Sequence, residues 1–159
     1  MTPEDPTPAA GAPGVTDAIV DDLERIAVGS VGLTTRALAG ADAGIELTFP
    51  QWRVLLVLGE GEDGARIGEV AARVGVTLPA TSRLLRRLER RGLTTLTVDE
   101  QDRRATRARL TDHGRAVRAA ILDHRRTALR DVVSAIPAAQ RRDLGSRLRA
   151  IADGLERFA

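Results

Sequence analysis

At 159 residues and 17.0 kDa the chain is about one domain long, enough to bury a core without covalent staples. It has no Cys and only three aromatic residues, Phe49, Trp52 and Phe158, which excludes disulfides, thiolate chemistry and Cys-based zinc sites and argues against stacking platforms for single-stranded nucleic acid. All 24 basic residues are Arg, so a formal net charge of only +2 coexists with a pI near 10.6; with no membrane-length apolar run and no signal-peptide pattern, a cytoplasmic location and no membrane partner are expected.

Residues 1–15 are rich in Pro and lack apolar periodicity, which predicts a disordered arm. Thr16 is the expected N-cap of a first helix. Ile19, Leu23, Ile26, Leu33 and Ala37 recur at helical spacing and predict an amphipathic helix ending near Gly40, with Gly29 and Gly32 as weak points. Thr48-Phe49-Pro50-Gln51 has the form of a capping box. The helix behind it carries Trp52, Val54, Leu55, Leu56, Val57 and Leu58 and is apolar nearly all round, so burial is expected.

A short helix follows over residues 66–76, with Ile67, Val70, Ala71 and Val74 on one face and Gly75 at its C-terminal end. After the Gly75-Val76-Thr77 turn another helix spans 77–91, with Thr77 as N-cap, Pro79 in the first turn and Gly92 as terminator. Two short helices joined by a tight glycine-containing turn form a helix-turn-helix unit. Residues 94–110 then alternate with period two around a polar Asp99–Asp102 turn, which predicts a β-hairpin. Thr111-Asp112 caps a long helix, and Pro137 suits the first turn of a last one carrying Leu144, Leu148, Ile151, Leu155 and Phe158.

Charge is distributed unevenly along this order. Residues 1–65 hold 3 Arg against 11 acids, whereas residues 66–130 hold 16 Arg against 7 acids. A basic middle of this kind is either a footprint on a polyanion or a solvated helical surface. Helical projection of residues 77–91 puts Thr81, Leu84, Leu85 and Leu88 on one face. Pro79, Ser82, Arg83, Arg86 and Arg90 fall opposite, flanked by Arg87 and Arg91. So many like charges at i, i+3 and i+4 repel one another, and a DNA major groove relieves that repulsion, because Arg pairs with guanine and clamps phosphate. The hairpin adds Arg103, Arg104 and Arg107, placed for a neighbouring minor groove or backbone. Asp102 is expected to cap the turn or orient an Arg. The candidate DNA contacts are thus Thr77, Pro79, Ser82, Arg83, Arg86, Arg87, Arg103, Arg104 and Arg107.

The segments LTFPQWRVLLVL at 47–58, RIGEVAARVGVTLPATSRLLRRLERRGL at 66–93 and DEQDRRATRARLTDHG at 99–114 together resemble the MarR family of transcriptional regulators. The resemblance covers about residues 16–158. It implies a mainly α fold: a winged helix-turn-helix with a small β-hairpin wing and a helical dimerisation region from both termini. It also implies a homodimer on a pseudo-palindromic double-stranded DNA operator, and in many members release by a small aromatic or phenolic effector. The expected organisation is an arm over 1–15, a dimerisation helix over 16–45, the DNA-binding domain over 46–112 and dimerisation helices over 113–159. Surplus apolar stripes on the terminal helices independently predict an interface above about 2,000 Å². An effector pocket could involve Phe49, Trp52, the first helix and residues 115–125, with plain core packing as the alternative for Trp52.

No catalytic constellation, phosphate-binding glycine loop or metal-ligand spacing stands out, so neither an enzyme nor a cofactor is expected. His113 and His124 lie about 16 Å apart along one helix and cannot share a metal within one chain. The rival reading is a helical dimeric interaction protein whose DNA-binding fold has ceased to bind DNA.

Overall fold

The computed structural model describes residues 14–40 and 45–157. The elements run α1 (Val15–Gly40), α2 (Phe49–Leu58), β1 (Ala65–Arg66), α3 (Ile67–Val74), α4 (Leu78–Arg90), β2 (Thr94–Val98), β3 (Thr106–Leu110), α5 (Asp112–Ser134) and α6 (Ala138–Glu156). The architecture is a mainly α winged helix-turn-helix, with long helices contributed by both ends of the chain. Among the described residues, no helix is long and apolar enough to cross a membrane. Of the arm expected over 1–15, residues 1–13 lie outside the described residues, as does Phe158 of the last apolar stripe.

The core forms where four helices and the hairpin converge. Trp52, Val54, Leu55 and Leu58 of α2 meet Val70 and Val74 of α3, Leu85 and Leu88 of α4, and Val117 and Ile121 of α5. Burial of α2 follows from its near-continuous apolar surface. The α4 face expected to be internal is so at Thr81, Leu85 and Leu88, each 0% exposed, while Leu84 is only half-buried. Truncating a side chain such as Leu88 to Ala would cost about 2–5 kcal/mol through lost burial and the cavity left behind.

Three local expectations are corrected, at the start of α1, at Pro137 and at Arg66. Helix α1 begins at Val15, inside the expected arm and one residue before Thr16. The backbone amide of Gly14 donates to Asp17 Oδ2 at 3.0 Å, so Gly14 closes the first turn in place of Thr16. The helix also runs unbroken through Gly29 and Gly32; at about 1 kcal/mol each, these residues do not stop a helix that packs against α5. Pro137 is the N-cap of α6 rather than a first-turn residue.

Arg66 is not helical itself but stands at the N-cap position of α3, its amide donating to Glu69 Oε2 at 2.9 Å. With Ala65 it forms a two-residue strand, β1, which pairs antiparallel with β3 in the sheet order β1-β3-β2. Gly64 makes this approach possible. Its φ is +68°, and a Cβ there would lie 2.0 Å from the Ala108 carbonyl oxygen, a distance that L side chains cannot tolerate.

The turn between α3 and α4 closes at Gly75, in the left-handed region at φ 72°. The hairpin pairs Thr94 with Leu110 through Val98 with Thr106. It passes without a linker into α5. The Thr111 amide donates to Leu93 O at 3.1 Å. The Thr111 hydroxyl donates to Gly92 O at 2.6 Å and accepts from the Gly114 amide at 2.9 Å.

Candidate nucleic-acid interface

Helix α4 presents one face to solvent, and that face is charged. Arg83, Arg86, Arg87 and Arg90 are exposed, Pro79 is exposed and Ser82 is half-buried. Among the described residues, none of these four Arg has a carboxylate within ion-pairing distance; the ion pairs formed involve other Arg side chains. The one acid on the helix, Glu89, points elsewhere: its Oε1 accepts from the Leu96 amide at 3.1 Å. The guanidinium groups therefore share a surface with no internal counter-charge. They rim a groove of about 580 Å³ whose apolar lining is Pro50, Val76, Ala80 and Leu84.

Thr77 stands at the N-cap position, but its side chain makes no capping hydrogen bond. It is exposed at the mouth of the helix. Its carbonyl oxygen accepts from the Thr81 hydroxyl at 3.1 Å. Arg91 differs from the other α4 cations because its Nη2 donates to Glu46 O at 2.6 Å, which fastens the helix end to the segment before α2.

The wing divides its Arg residues into two groups. Arg103 and Arg104 sit exposed at the tip. The turn there is held by Asp102, whose Oδ1 accepts from the Arg104 amide at 3.0 Å. Arg107 is instead drawn inward. Its Nε donates to Asp99 Oδ2 at 2.8 Å, and Nη1 reaches Asp63 O at 3.5 Å and Gly64 O at 3.4 Å. Arg107 is thus anchored within the chain through Nε, with 22% of its side chain exposed, whereas Arg103 and Arg104 are exposed at the tip.

Asp99 organises this base of the wing, a role that its place in a polar turn does not announce. Its side chain is 1% exposed. It accepts from Arg66 Nη2 at 3.0 Å, Arg66 Nε at 3.2 Å and the amides of Gln101 and Asp102 at 3.0 Å each. The Arg66 hydrogen bonds, helped by Arg107 and the two amides and opposed by desolvation, hold its carboxyl well below the usual carboxylate range. Arg109 adds a further tie, donating from Nε to Asp63 O at 2.9 Å. Arg66 was overlooked as a wing anchor because its partner lies 33 residues away in sequence.

For Trp52, plain core packing is the arrangement observed. Trp52 is 1% exposed within the core and offers no free ring face, while Phe49, 39% exposed, lies at the start of α2.

A second set of exposed side chains is apolar. Among the described residues, the large exposed hydrophobic side chains gather on α1 (Val15, Ile19, Val20, Ile26, Val28, Val31), α5 (Leu129, Val132, Val133) and α6 (Leu148, Leu155). No residue of α6 is buried. Only Phe49, Leu78 and Val98 complete that set.

Comparison with known proteins places this geometry in context. A family model described as MarR family matches residues 45–105. A curated relative, the HTH-type transcriptional regulator TtmR of Methylorubrum extorquens (strain PA1), is 40% identical over 73 residues. That match covers 46% of this chain and 37% of the relative, so the aligned part is well under two thirds of its length. The crystal structure of RV1404 from Mycobacterium tuberculosis superposes with a TM-score of 0.76 at 29% identity, covering 90% of this chain and 95% of that one. CouR from Rhodococcus jostii RHA1, solved bound to p-coumaroyl-CoA, gives a TM-score of 0.63 at 26% identity, covering 89% and 96%.

Proposed function

We propose that the chain is a MarR-family protein, as the family match over residues 45–105 and the superposition on RV1404 support, and that it is a sequence-specific regulator of transcription that binds a pseudo-palindromic double-stranded operator as a homodimer and represses. In this reading residues 46–112 read the DNA in the cytoplasm, and 16–45 with 113–159 join the two subunits. The observation that carries it is the exposed face of α4, four guanidinium groups without a carboxylate partner among the described residues. Helix α4 enters the major groove, with Thr77, Pro79, Ser82, Arg83 and Arg86 toward base edges and Arg87 toward phosphate. Arg103 and Arg104 reach the flanking minor groove or its backbone. Arg107 acts indirectly, by fixing the wing that carries them.

The apolar faces of α1, α5 and α6 support pairing with a second copy. A two-fold axis through those helices sets two α4 helices about 34 Å apart, one turn of DNA. A small-molecule effector that releases DNA is the remaining part of the reading, supported by the p-coumaroyl-CoA bound to CouR. It acts only through unequal affinity for the binding and non-binding conformations.

A salt titration of duplex binding tests the proposal. Affinity for fragments of the source genome should fall steeply with salt, with a slope of about −0.9 per neutralised phosphate. Absence of duplex affinity even at low salt would leave a dimeric interaction protein as the reading.

A further inference from the structure

Outside the long terminal helices, Leu78 stands out as an exposed apolar residue on an otherwise cationic surface. It is the first residue of α4 and is 54% exposed. Along the helix Leu78, Ser82 and Arg86 are spaced i, i+4, i+8, so they form one row beside the core-facing side. Leu78 is the end of that row nearest the helix start, and beside it stands Pro79, which has no N–H to donate. The leading turn of α4 therefore presents hydrocarbon where a hydrogen-bonding residue would otherwise read a base.

Major-groove edges carry one apolar group, the C5-methyl of thymine; the other features there are hydrogen-bond donors and acceptors. The minor groove has no such methyl, so Val98 on the wing, also exposed, has no equivalent target. The flanking Arg residues bring a polyanion to this surface, and that selects DNA over an apolar protein segment as the occupant of Leu78. We propose that Leu78 is a specificity-determining residue that recognises the 5-methyl group of a thymine in each operator half-site. The inference rests on the operator reading above and names one of its base contacts.

The test is a two-way cycle between protein and DNA. Duplexes retained by the full-length protein from fragmented genomic DNA define the operator. Each thymine in a half-site is then replaced singly by deoxyuridine, which removes only the methyl. For the wild type, one position should weaken binding about fourfold, the loss expected for a single buried methyl-sized group. Leu78→Ala, which removes the contact from both subunits, should bind the unmodified operator about as weakly as the wild type binds a duplex with both symmetry-related thymines replaced, a loss of about sixteenfold, and should be indifferent to the replacement. Leu78→Met, which keeps apolar reach, should restore the sensitivity. Equal responses of wild type and Leu78→Ala at every thymine overturn the assignment while leaving operator binding intact. A protein that retains no genomic duplex overturns the operator reading and this contact with it.

Discussion

Asp99 and Arg66 form a two-pronged ion pair, with Nη2–Oδ1 at 3.0 Å and Nε–Oδ2 at 3.2 Å, that ties the base of the wing to the strand leading into α3. Arg107 shares the same carboxylate. Asp99→Asn should lose the charge and, by turning an amide N–H toward the donors at one oxygen, keep only the bonds to the other, while Asp99→Ala loses every one of these bonds and should destabilise more. The pH dependence has a definite sign. A carboxyl held below its unfolded value, about 3.9, stabilises the fold above that value and loses its contribution as pH falls toward the folded one. Urea melts should therefore show a constant gap between wild type and Asp99→Asn above about pH 5 and a shrinking gap below about pH 4. A gap that persists unchanged in acid would show that the charge is not its source.

Arg83 lies in the second turn of α4, exposed and without a carboxylate partner among the described residues. Arg83→Ala should cost about 1–3 kcal/mol on the operator and relax preference at one base position. Equal losses on operator and random duplex would reduce Arg83 to a phosphate contact. Competition binding at fixed salt distinguishes the two.

The exposed stripe on α5 includes Val132 at 54% and Val133 at 44%. Placing a charge there desolvates it on pairing unless it finds a partner. Val132→Asp should leave the helical circular dichroism spectrum unchanged and shift the species seen by sedimentation from dimer to monomer. Operator affinity should fall with it, since one subunit grips only one half-site. An unaltered sedimentation profile would remove this part of α5 from the interface.

Gly114 sits in the first turn of α5, and a Cβ there would lie 2.0 Å from the Leu93 carbonyl oxygen. The obstacle is backbone already bonded to Thr111, so it cannot swing aside as a side chain would. Gly114→Ala should destabilise by about 1–3 kcal/mol, the usual cost of overpacking, read as a lower urea midpoint. A neutral effect would mean that the junction yields more readily than its bonding suggests.

What could be read from the residues alone follows the range of the interactions. Helices α2 to α5 are written in local periodicity and capping chemistry, and the sequence located them to within a few residues. The exposed Arg row of α4 was legible for the same reason, since projection of one helix needs no tertiary information. Strand β1 was not legible, because two residues carry no alternation to detect. The wing was half legible. Alternation exposed the hairpin, but nothing local distinguishes Arg107 from Arg103; what separates them is Asp99, whose other cation comes from 33 residues upstream. The exposure of Leu78 was not legible either, because projection of one helix does not tell how much of a side chain its neighbours leave uncovered.

The junction at Thr111 contains no slack. One hydroxyl and one amide rivet the exit of α4, the end of the wing and the opening turn of α5 to one another. A tilt of α5 would therefore carry α4 and the hairpin with it, as the far end of a lever about 35 Å long at 1.5 Å per residue. In a paired assembly, small adjustments where the two stems cross are geared up into the stride between the two grips.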